Sequence, residues 1–316
     1  MKVVVTLGSD ALVKRGEPMD AKVMQKNVAQ SAAALATIAR AHRLVVIHST
    51  GPQAGLVALK SEAYADSYQY PLDVLTAEAE GLIGSMIQQE LANLLPKHTI
   101  VALLTRVLVK ENDPAFKLPA KPIGANYSGE QAERMEKAHG WTMVLEGLRW
   151  RRVVPSPEPV RILELNAIRL LLKAGAVVIC AGGGGIPVMA NAKNEVRGVE
   201  AVIEKDLVAS LLARKIEADA LLLLTDVEAV FRNWGAADAR PIRETTPSEL
   251  RRHVFAPWSM APKVKAACRF IDAGGKLAGI GRLEDAGMIL HGLTGTIVRE
   301  TGVTLDFVRK PRTAKP

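Results

Sequence analysis

The residues of this sequence that could do chemistry are glycines at the ends of predicted strands and lysines beside predicted loops. Four consecutive glycines, residues 182–185, follow the apolar, β-branched run at 176–180, which is typical of a strand buried on both faces. Glycine-bearing turns also follow two earlier runs, at 8–11 and 48–55. Because glycine has no Cβ, such turns can present backbone N–H groups to an oxyanion or let a substrate approach the main chain. A flexible loop is the alternative for any one glycine, but four after a buried strand favour an anion or phosphate site.

Three lysines and two acidic residues stand where they could complete such a site. Lys121, Lys205 and Lys263 lie beside predicted loops, and Asp206 and Asp226 lie near strand or helix ends. Phosphoryl transfer needs this inventory, because N–H dipoles and cations must balance the charge on the moving phosphoryl oxygens. An acid such as Asp206 can orient a lysine or bind magnesium. One lysine alone is more often a solvated surface charge, but the set beside three glycine turns favours phosphoryl transfer.

Several other classes of site are excluded because their motifs are absent. The sequence contains no Gly-x-x-x-x-Gly-Lys-Ser/Thr loop, no Gly-x-Gly-x-x-Gly after the first strand, and no His-Glu-x-x-His or Cys-x-x-Cys. No set of metal-ligating side chains is therefore predicted. Cys180 and Cys268 make no disulfide framework, and residues 2–7 predict a strand rather than a signal peptide. We expect a reduced, cytoplasmic protein with no membrane partner, since the apolar stretch 174–190 has too many glycines for a membrane helix.

The composition bounds the remaining possibilities. The chain has 316 residues, of which 48% are hydrophobic and only 4% aromatic, so its core must be built mostly from Ala, Val, Leu and Ile. The formal net charge of +8 could suit nucleic acid or anionic metabolites. The charges are interspersed and the few aromatic residues form no stacking series, which argues against nucleic acid as a partner.

Strands and helices alternate along the sequence. Apolar runs predict strands at 2–7, 44–47, 99–105, 176–180, 219–224, 277–280 and 295–298. Helical periodicity predicts helices at 21–41, 73–95, 161–173, from 199 through 206, 247–254, from 259, and 284–291, with a hairpin turn at 194–198. This alternation predicts an α/β sandwich with a largely parallel sheet, shared by two lobes. Residues 111–159 have several prolines and no clean period, and we interpret them as a small inserted subdomain that closes over a substrate.

Several stretches together form a set more specific than any single glycine motif. They are Trp150-Arg-Arg-Val-Val-Pro-Ser-Pro157, the strand and glycines at 177–187, Lys205-Asp206, residues 221–227 and Ser259-Met-Ala-Pro-Lys263, with shorter stretches at 71–75 and 112–116. With these motifs the sequence resembles the carbamate kinases of the amino-acid-kinase superfamily over residues 2–298. The resemblance implies an open three-layer αβα fold, a homodimer, and ATP or ADP with Mg²⁺. It also implies the reversible conversion of carbamate and ATP into carbamoyl phosphate and ADP.

The resemblance also implies roles for individual residues. Lys205 and Lys263 would stabilise the transferring phosphoryl group, and Asp206 would organise them. Lys121 would reach the site from the inserted subdomain at about 111–159. An N-terminal lobe, 1–210, would hold phosphate and carbamate through Gly8, Ser9, Asp10, Ser49, Thr50, Gly51, Gly182, Gly183 and Gly184. A C-terminal lobe, 211–316, would hold the nucleotide through Thr225, Asp226, Val227, Trp234 and Met260.

Two of the three glycine turns depart from the family pattern. Gly8-Ser9-Asp10 stands where the family usually has Gly-Gly-Asn, and His48-Ser49-Thr50 stands where it usually has His-Gly-Asn. A carboxylate at position 10 would repel phosphate oxygens unless a cation or a proton intervenes. Our hypothesis for that cation is Arg106, which stands where a neutral glutamine is common.

Three functions are consistent with this pattern. The first is an active kinase that acts on carbamate or a close analogue, which the retained lysines favour. The second is a weakly active or non-catalytic paralogue that binds nucleotide or a carbamoyl compound. The third is a relative with a shifted acceptor, in which Asp10 receives a cationic or neutral substrate. We place the first ahead of the others, because neighbouring charges can rebalance the electrostatics of a phosphoryl site.

Overall fold

The computed structural model describes residues 1–50, 53, 55–58, 70–301 and the backbone of 305–307. The strands are β1 (Lys2–Thr6), β2 (Arg43–Ile47), β3 (Ile100–Leu103), β4 (Arg106–Leu108), β5 (Lys121–Tyr127), β6 (Thr142–Glu146), β7 (Arg149–Val154), β8 (Arg161–Ile162), β9 (Val177–Cys180), β10 (Ile186–Ala190), β11 (Val196–Gly198), β12 (Ala220–Thr225), β13 (Phe231–Arg232), β14 (Arg240–Thr245), β15 (Leu277–Arg282), β16 (Thr296–Val298) and β17 (Leu305–Phe307). The helices are α1 (Ala21–Ala39), α2 (Leu72–Leu94), α3 (Gly129–His139), α4 (Leu165–Lys173), α5 (Lys205–Lys215), α6 (Pro247–Leu250), α7 (Met260–Asp272) and α8 (Ala286–Leu290).

The central sheet has the strand order β13-β14-β16-β15-β12-β1-β2-β9-β3, with β17 beside β14. In its middle, β1 pairs in parallel with both β2 and β12. The pairs β2–β9, β3–β9 and β12–β15 are also parallel, whereas β15–β16 and β13–β14 are antiparallel. The predicted α/β fold with a largely parallel sheet is thereby confirmed. The carboxyl ends of β1, β2, β9 and β12 meet at one edge of this sheet, which is where such sheets bind ligands.

Helices cover both faces of this sheet and complete three layers. Along β1, Val3 and Val5 pack on the face covered by α1, α2 and α8, while Val4 packs on the face covered by α4, α5 and α7. Both clusters are dominated by aliphatic side chains, as the low aromatic content predicts. In the part of the chain that the structure describes, no helix is long and apolar enough to cross a membrane.

Between β4 and β8 the chain leaves the central layers and forms a three-stranded antiparallel sheet, β5-β7-β6, with α3 packed against it. Ser128 begins α3 with a reciprocal capping box to Gln131, and Gly140 ends it in the left-handed region at φ 65°. Tyr127 and Met143 belong to its small core. These elements lie within the predicted insertion. The division of the chain into lobes at residue 210, which falls inside α5, stays a prediction.

Helix α5 begins at Lys205, whereas the sequence pattern predicts a helix that begins at residue 199. Residues 199–204 are non-helical, and the N–H of Val202 donates to the carbonyl of Pro155 at 3.0 Å. Burial alternates along 201–204, which is the pattern of an extended segment and not of a helix face, so the prediction of a helix from residue 199 was wrong. The correction places Lys205 and Asp206 in the first turn of α5, at the positive end of the helix dipole.

Two other predicted elements are divided differently. The strand predicted at 99–105 is shorter, β3 at Ile100–Leu103, because the chain then leaves the central sheet and enters a second sheet, β11-β10-β4-β8, at Arg106. At this change of sheet the N–H of Thr105 donates to the Glu80 carboxyl group, not to a neighbouring strand. The helix predicted from 161 begins only at Leu165, since residues 161–162 pair with β4 as strand β8.

Candidate active site

A cavity of about 660 Å³ lies between the carboxyl ends of the central strands and the inserted subdomain. Its wall on the sheet side contains Gly8, Ser9, Asp10, Ser49, Thr50, Gly183, Thr225 and Asp226. Its wall on the subdomain side contains Lys121, Tyr127, Trp141, Arg151 and Arg152. The predicted turns after β1, β2, β9 and β12 therefore meet in one space. Gly51, which the sequence also assigns to this site, lies outside the described residues.

Asp206 holds the two predicted lysines of this cavity side by side. Its Oδ1 accepts a hydrogen bond from Lys205 Nζ at 2.7 Å, and its Oδ2 accepts one from Lys263 Nζ at 2.9 Å. The hydroxyl of Thr6 also donates to Oδ1, at 3.1 Å. The Asp206 residue is only 2% exposed. Because both of its oxygens accept hydrogen bonds from protein donors, Asp206 orients the two lysines.

The positions of these three side chains are determined by the N-terminal turns of two helices, α5 and α7. Lys205 and Asp206 occupy the first turn of α5, where a carboxylate is stabilised by the helix dipole. Lys263 follows Pro262 in the first turns of α7, and proline is well accommodated there because its missing N–H has no partner in the helix. Since α5 packs against α7, the two starts bring both ammonium groups to one carboxylate.

The charges of this trio fix their protonation. Burial would raise the pKa of Asp206, but the ammonium groups of Lys205 and Lys263 outweigh it and hold that pKa well below its usual range. Burial would lower the pKa of Lys263, but Asp206 outweighs it and raises that pKa, with a contribution from Asp10. Burial, supported by the positive charge of Lys263, lowers the pKa of Lys205 to about 8. At neutral pH the trio therefore carries one net positive charge, as an anion site requires.

Lys121 reaches the cavity from β5, as the resemblance implies, and it forms a contact that the sequence did not reveal. Its ammonium group makes an ion pair with Glu204, the residue immediately before α5. The same Nζ lies 5.5 Å from the ring centroid of Trp258, which also lines the cavity. Neither Glu204 nor Trp258 was identified from the sequence. The sequence feature that could have identified them is their position, since each directly precedes a family motif, which begins at Lys205 or at Ser259.

Asp10 lines the same cavity, beside the lysines and not beside Arg106. Burial raises the pKa of Asp10, and the nearby Asp226 raises it further, whereas Lys263 and Lys205 act in the opposite direction. Arg106 instead donates from Nε to Glu164 at 2.8 Å, and its side chain is 53% exposed. The hypothesis that Arg106 offsets Asp10 is therefore wrong, because Glu164 neutralises Arg106 outside the cavity. The cations that lower the pKa of Asp10 include Lys263 and Lys205, which Asp206 holds.

The N–H groups of the glycine turn at 182–185 are taken by acceptors of the protein. The Gly182 N–H donates to Glu80 Oε1 and the Gly183 N–H to the carbonyl of His48, both at 2.8 Å. The next two N–H groups close the turn on carbonyls within it, both at 3.0 Å. The expectation that this turn presents unshielded N–H groups to an oxyanion is therefore wrong, because the turn uses them to hold its own shape.

The glycines of this turn are required for space and for backbone conformation. Gly183 has φ 68°, and a Cβ there would lie 2.1 Å from the hydroxyl oxygen of Thr50. Gly184 has φ 105°, and a Cβ there would lie 2.2 Å from the carbonyl oxygen of Ile203. Both φ values lie in the region that favours glycine. Close approach of a ligand to the Gly183 main chain, which lines the cavity, stays a prediction.

The residues assigned to the nucleotide are distributed unevenly. Thr225 and Asp226 bring the end of β12 to the cavity, and the Thr225 hydroxyl donates to Asp226 Oδ1 at 3.2 Å. Val227, Trp234 and Met260 are absent from the cavity wall as far as the described residues show it. Trp234 is 67% exposed, and Met260 packs against the core. The roles assigned to all five stay predictions.

Comparison with known proteins adds a consistent set of relatives. The amino acid kinase family matches residues 1–280. A carbamate kinase from Rhizobium meliloti is 50% identical over 301 residues, which are 94% of this chain and 93% of that protein. A carbamate kinase from Escherichia coli is 46% identical over 296 residues, which are 94% and 98% of the two chains. The structure of carbamate kinase from Giardia lamblia bound to AMP-PNP superposes with a TM-score of 0.89 at 36% identity, over 95% of this chain and 98% of that one.

Proposed function

Since this chain belongs to the amino acid kinase family and is a carbamate kinase-like phosphotransferase, we propose that it transfers a phosphoryl group reversibly between ATP and carbamate at the cavity described above. The observation that carries this proposal is the buried Asp206, which holds the ammonium groups of Lys205 and Lys263 together. The Giardia lamblia relative was solved with AMP-PNP, an ATP analogue, which supports a nucleotide site in the same fold.

The roles of the residues follow from the charge that moves during the reaction. A carbamate oxygen attacks the γ-phosphorus of ATP, the bond from that phosphorus to the bridging oxygen breaks, and ADP leaves. Lys205 and Lys263 stabilise the phosphoryl oxygens, whose negative charge is exposed while the group is in transit. Asp206 is not consumed and holds the two cations in position before the substrates arrive, so that little reorganisation is needed. Lys121 supplies a further cation from the subdomain side.

The two substrates would be held from the two lobes. The turns at 8–10, 49–51 and 182–184 would position carbamate and the transferring phosphoryl group from the N-terminal lobe, 1–210, and its insertion at 111–159. Residues 225–227, with Trp234 and Met260, would position the nucleotide from the C-terminal lobe, 211–316. Thr225 and Asp226 support this division, because they line the same cavity as Lys205, Asp206 and Lys263.

Magnesium would be held by few protein groups. Among the described residues no group of three or more His, Cys, Asp or Glu could hold a metal ion. Asp10 and Asp226 both line the cavity and face each other closely enough to affect the pKa of Asp10. Carboxylate oxygens are suitable ligands for Mg²⁺, which usually takes one or two of them together with phosphate oxygens and water. When bound there, Mg²⁺ would neutralise phosphate charge that Asp10 would otherwise repel.

A coupled assay tests this function directly. The protein is mixed with ADP, carbamoyl phosphate and magnesium, and ATP formation is followed. Sustained ATP formation supports the kinase. Nucleotide binding without turnover would contradict it and favour the second candidate, a non-catalytic paralogue. Turnover of ATP only with a cationic or neutral acceptor would favour the third candidate, which Asp10 in the cavity makes chemically reasonable.

The homodimer implied by the resemblance is also part of the proposal. The central sheet ends at β3, which pairs with β9 on one side in the described part of the sheet. Leu104 beside this edge and Leu82 and Leu94 on α2 are exposed and apolar, which is typical of a surface that a second copy covers. Sedimentation equilibrium should give twice the chain mass of 34.0 kDa. The cytoplasmic location stays a prediction.

A further inference from the structure

Behind the glycine turn lies a buried acid that the mechanism above does not use, Glu80 of helix α2. It is only 3% exposed. Its Oε1 accepts a hydrogen bond from the N–H of Gly182 at 2.8 Å, and its Oε2 accepts one from the N–H of Thr105 at 3.2 Å. One carboxyl group thus joins the middle of α2, the chain after β3, and the turn after β9.

The surroundings of Glu80 leave the glycine turn little freedom. The Thr105 hydroxyl accepts a hydrogen bond from the N–H of Ala181 at 3.0 Å, so Glu80 and Thr105 hold two consecutive N–H groups of the turn. A Cβ on Gly182 would lie 2.3 Å from Cε1 of His48 and 3.0 Å from Cγ of Glu80. The first glycine is therefore enclosed by the imidazole ring on one side and the acid on the other.

Burial favours the protonated form of Glu80. Burial raises the pKa of Glu80 to about 8, although the N–H groups of Thr105 and Gly182 favour its ionised form. Among the described residues, no cation is a cause of the shift in the pKa of Glu80. Glu164 raises the pKa of Glu80, the thiol of Cys180 is buried and its pKa is raised, and burial lowers the pKa of His48 to about 4.

We propose that Glu80 is a positioning residue for phosphoryl transfer, whose buried carboxyl group fixes the glycine turn from behind. The inference rests on the proposed function. Gly183 follows directly after Gly182 and lines the cavity, so a shift of the turn, or a charge behind it, acts on the substrates. The two-acceptor geometry requires an acid, because the amide of glutamine would place an NH₂ group against one of the two N–H donors.

The ionisation is tested on the wild-type protein without any assay of turnover. The protein is labelled with ¹⁵N-glycine, and the Gly182 amide resonance is followed from pH 6 to pH 10. Because Glu80 accepts from this amide, the resonance should move with a midpoint of about 8. It is assigned in the wild-type protein by its sequential connectivity to Ala181, with uniform ¹³C and ¹⁵N labelling, and its titration should be lost in Glu80→Gln. Glu78→Gln is the matched control, since Glu78 is exposed on the same helix, and it should leave the titration unchanged.

The positioning role is tested by kinetics of the same two variants. Glu80→Gln leaves one buried N–H without an acceptor, and the loosened turn should raise the KM for carbamoyl phosphate by about fivefold or more, with a smaller change in kcat. The wild-type KM should rise as the pH passes 8, where Lys205 also loses its proton, and this rise should be smaller in Glu80→Gln, in which Lys205 alone titrates. Glu78→Gln should have the wild-type KM at every pH.

Two results would overturn the inference. One is a Gly182 amide resonance that keeps its wild-type position in both Glu80→Gln and the shorter acid Glu80→Asp, which would show that the carboxyl group does not hold this N–H. The other is a folded Glu80→Gln variant with the KM and pH profile of Glu78→Gln, which would make Glu80 a core residue without influence on the site. A wild-type protein whose amide titrates but which makes no ATP would overturn the proposed function alone.

Discussion

Lys263 and Asp206 lie 57 residues apart in the sequence and are joined by a buried hydrogen bond of 2.9 Å between Nζ and Oδ2. The same carboxylate binds the neighbouring Lys205. A buried ion pair contributes little net stability, because the cost of removing both charges from water offsets their attraction. Its value here is positional, since it fixes two cations at the wall of a cavity that would receive phosphate.

Asp206→Asn should abolish this arrangement while conserving the shape of the side chain. Two buried ammonium groups would lose their counter-charge, so the free energy of unfolding should fall by about 3 kcal/mol. We expect kcat to fall by about 100-fold or more, because the lysines are no longer held on the phosphoryl oxygens. ATP formation and urea unfolding measure the two effects. The control is the exposed Asp238→Asn, and equal kinetics of the two variants would contradict the assigned role.

The stability that Asp206 provides should depend on pH. Its pKa is lower in the folded protein than the ordinary value of 3.8, so its contribution is present above pH 3.8 and is lost as the pH falls through the folded value. The difference in unfolding free energy between wild type and Asp206→Asn should therefore shrink in acid. Urea unfolding at pH 3, 5 and 7 measures this difference. A constant difference over this range would mean that the carboxylate is not held by the lysines.

Lys121→Ala should weaken substrate binding from the subdomain side. The variant removes an ammonium group that lines the cavity and pairs with Glu204. We expect kcat/KM for carbamoyl phosphate to fall by about 10- to 100-fold. Lys137→Ala is the matched control, because Lys137 lies in the same subdomain on the exposed surface of α3. The expectation fails if both variants keep the wild-type kcat/KM.

Replacing the acid at position 10 should strengthen the binding of anionic ligands. Asp10→Asn, alone or with Ser9→Gly, removes a negative charge from a cavity that also contains Asp226. The Kd of ADP and of carbamoyl phosphate, measured without magnesium, should fall several-fold, by about 1 kcal/mol of binding free energy in each case. Arg106→Gln should leave both Kd values unchanged, because Arg106 pairs with Glu164. No gain from Asp10→Asn would show that the charge of this turn does not limit the binding of anionic ligands.

The sequence predicted the parts of this molecule that depend on local pattern. Apolar runs located the buried strands, and the matching motifs identified Lys205, Asp206 and Lys263. What it missed depends on contacts through space. Glu80 lies in the middle of a helix with no motif of its own, and only the fold shows that its carboxyl group meets the glycine turn. Arg106 was paired with the wrong residue for the same reason, since its distance from Asp10 cannot be read from sequence.

Glu80→Gln should also change how stability depends on pH. The pKa of Glu80 is about 8 in the folded protein against an ordinary value of 4.5. Between these values the folded protein binds a proton that the unfolded chain releases, so stability falls as the pH rises from 4.5 to 8 and levels off above. At 1.36 kcal/mol per pKa unit the upper limit of this loss is about 5 kcal/mol.

Glutamine does not titrate, so the Glu80→Gln variant lacks this loss, although an unpaired N–H lowers its stability at pH 5. The difference in unfolding free energy should therefore move in favour of Glu80→Gln from pH 5 to pH 8, as urea unfolding at several pH values measures. A difference that stays constant would mean that Glu80 is ionised in the folded protein throughout.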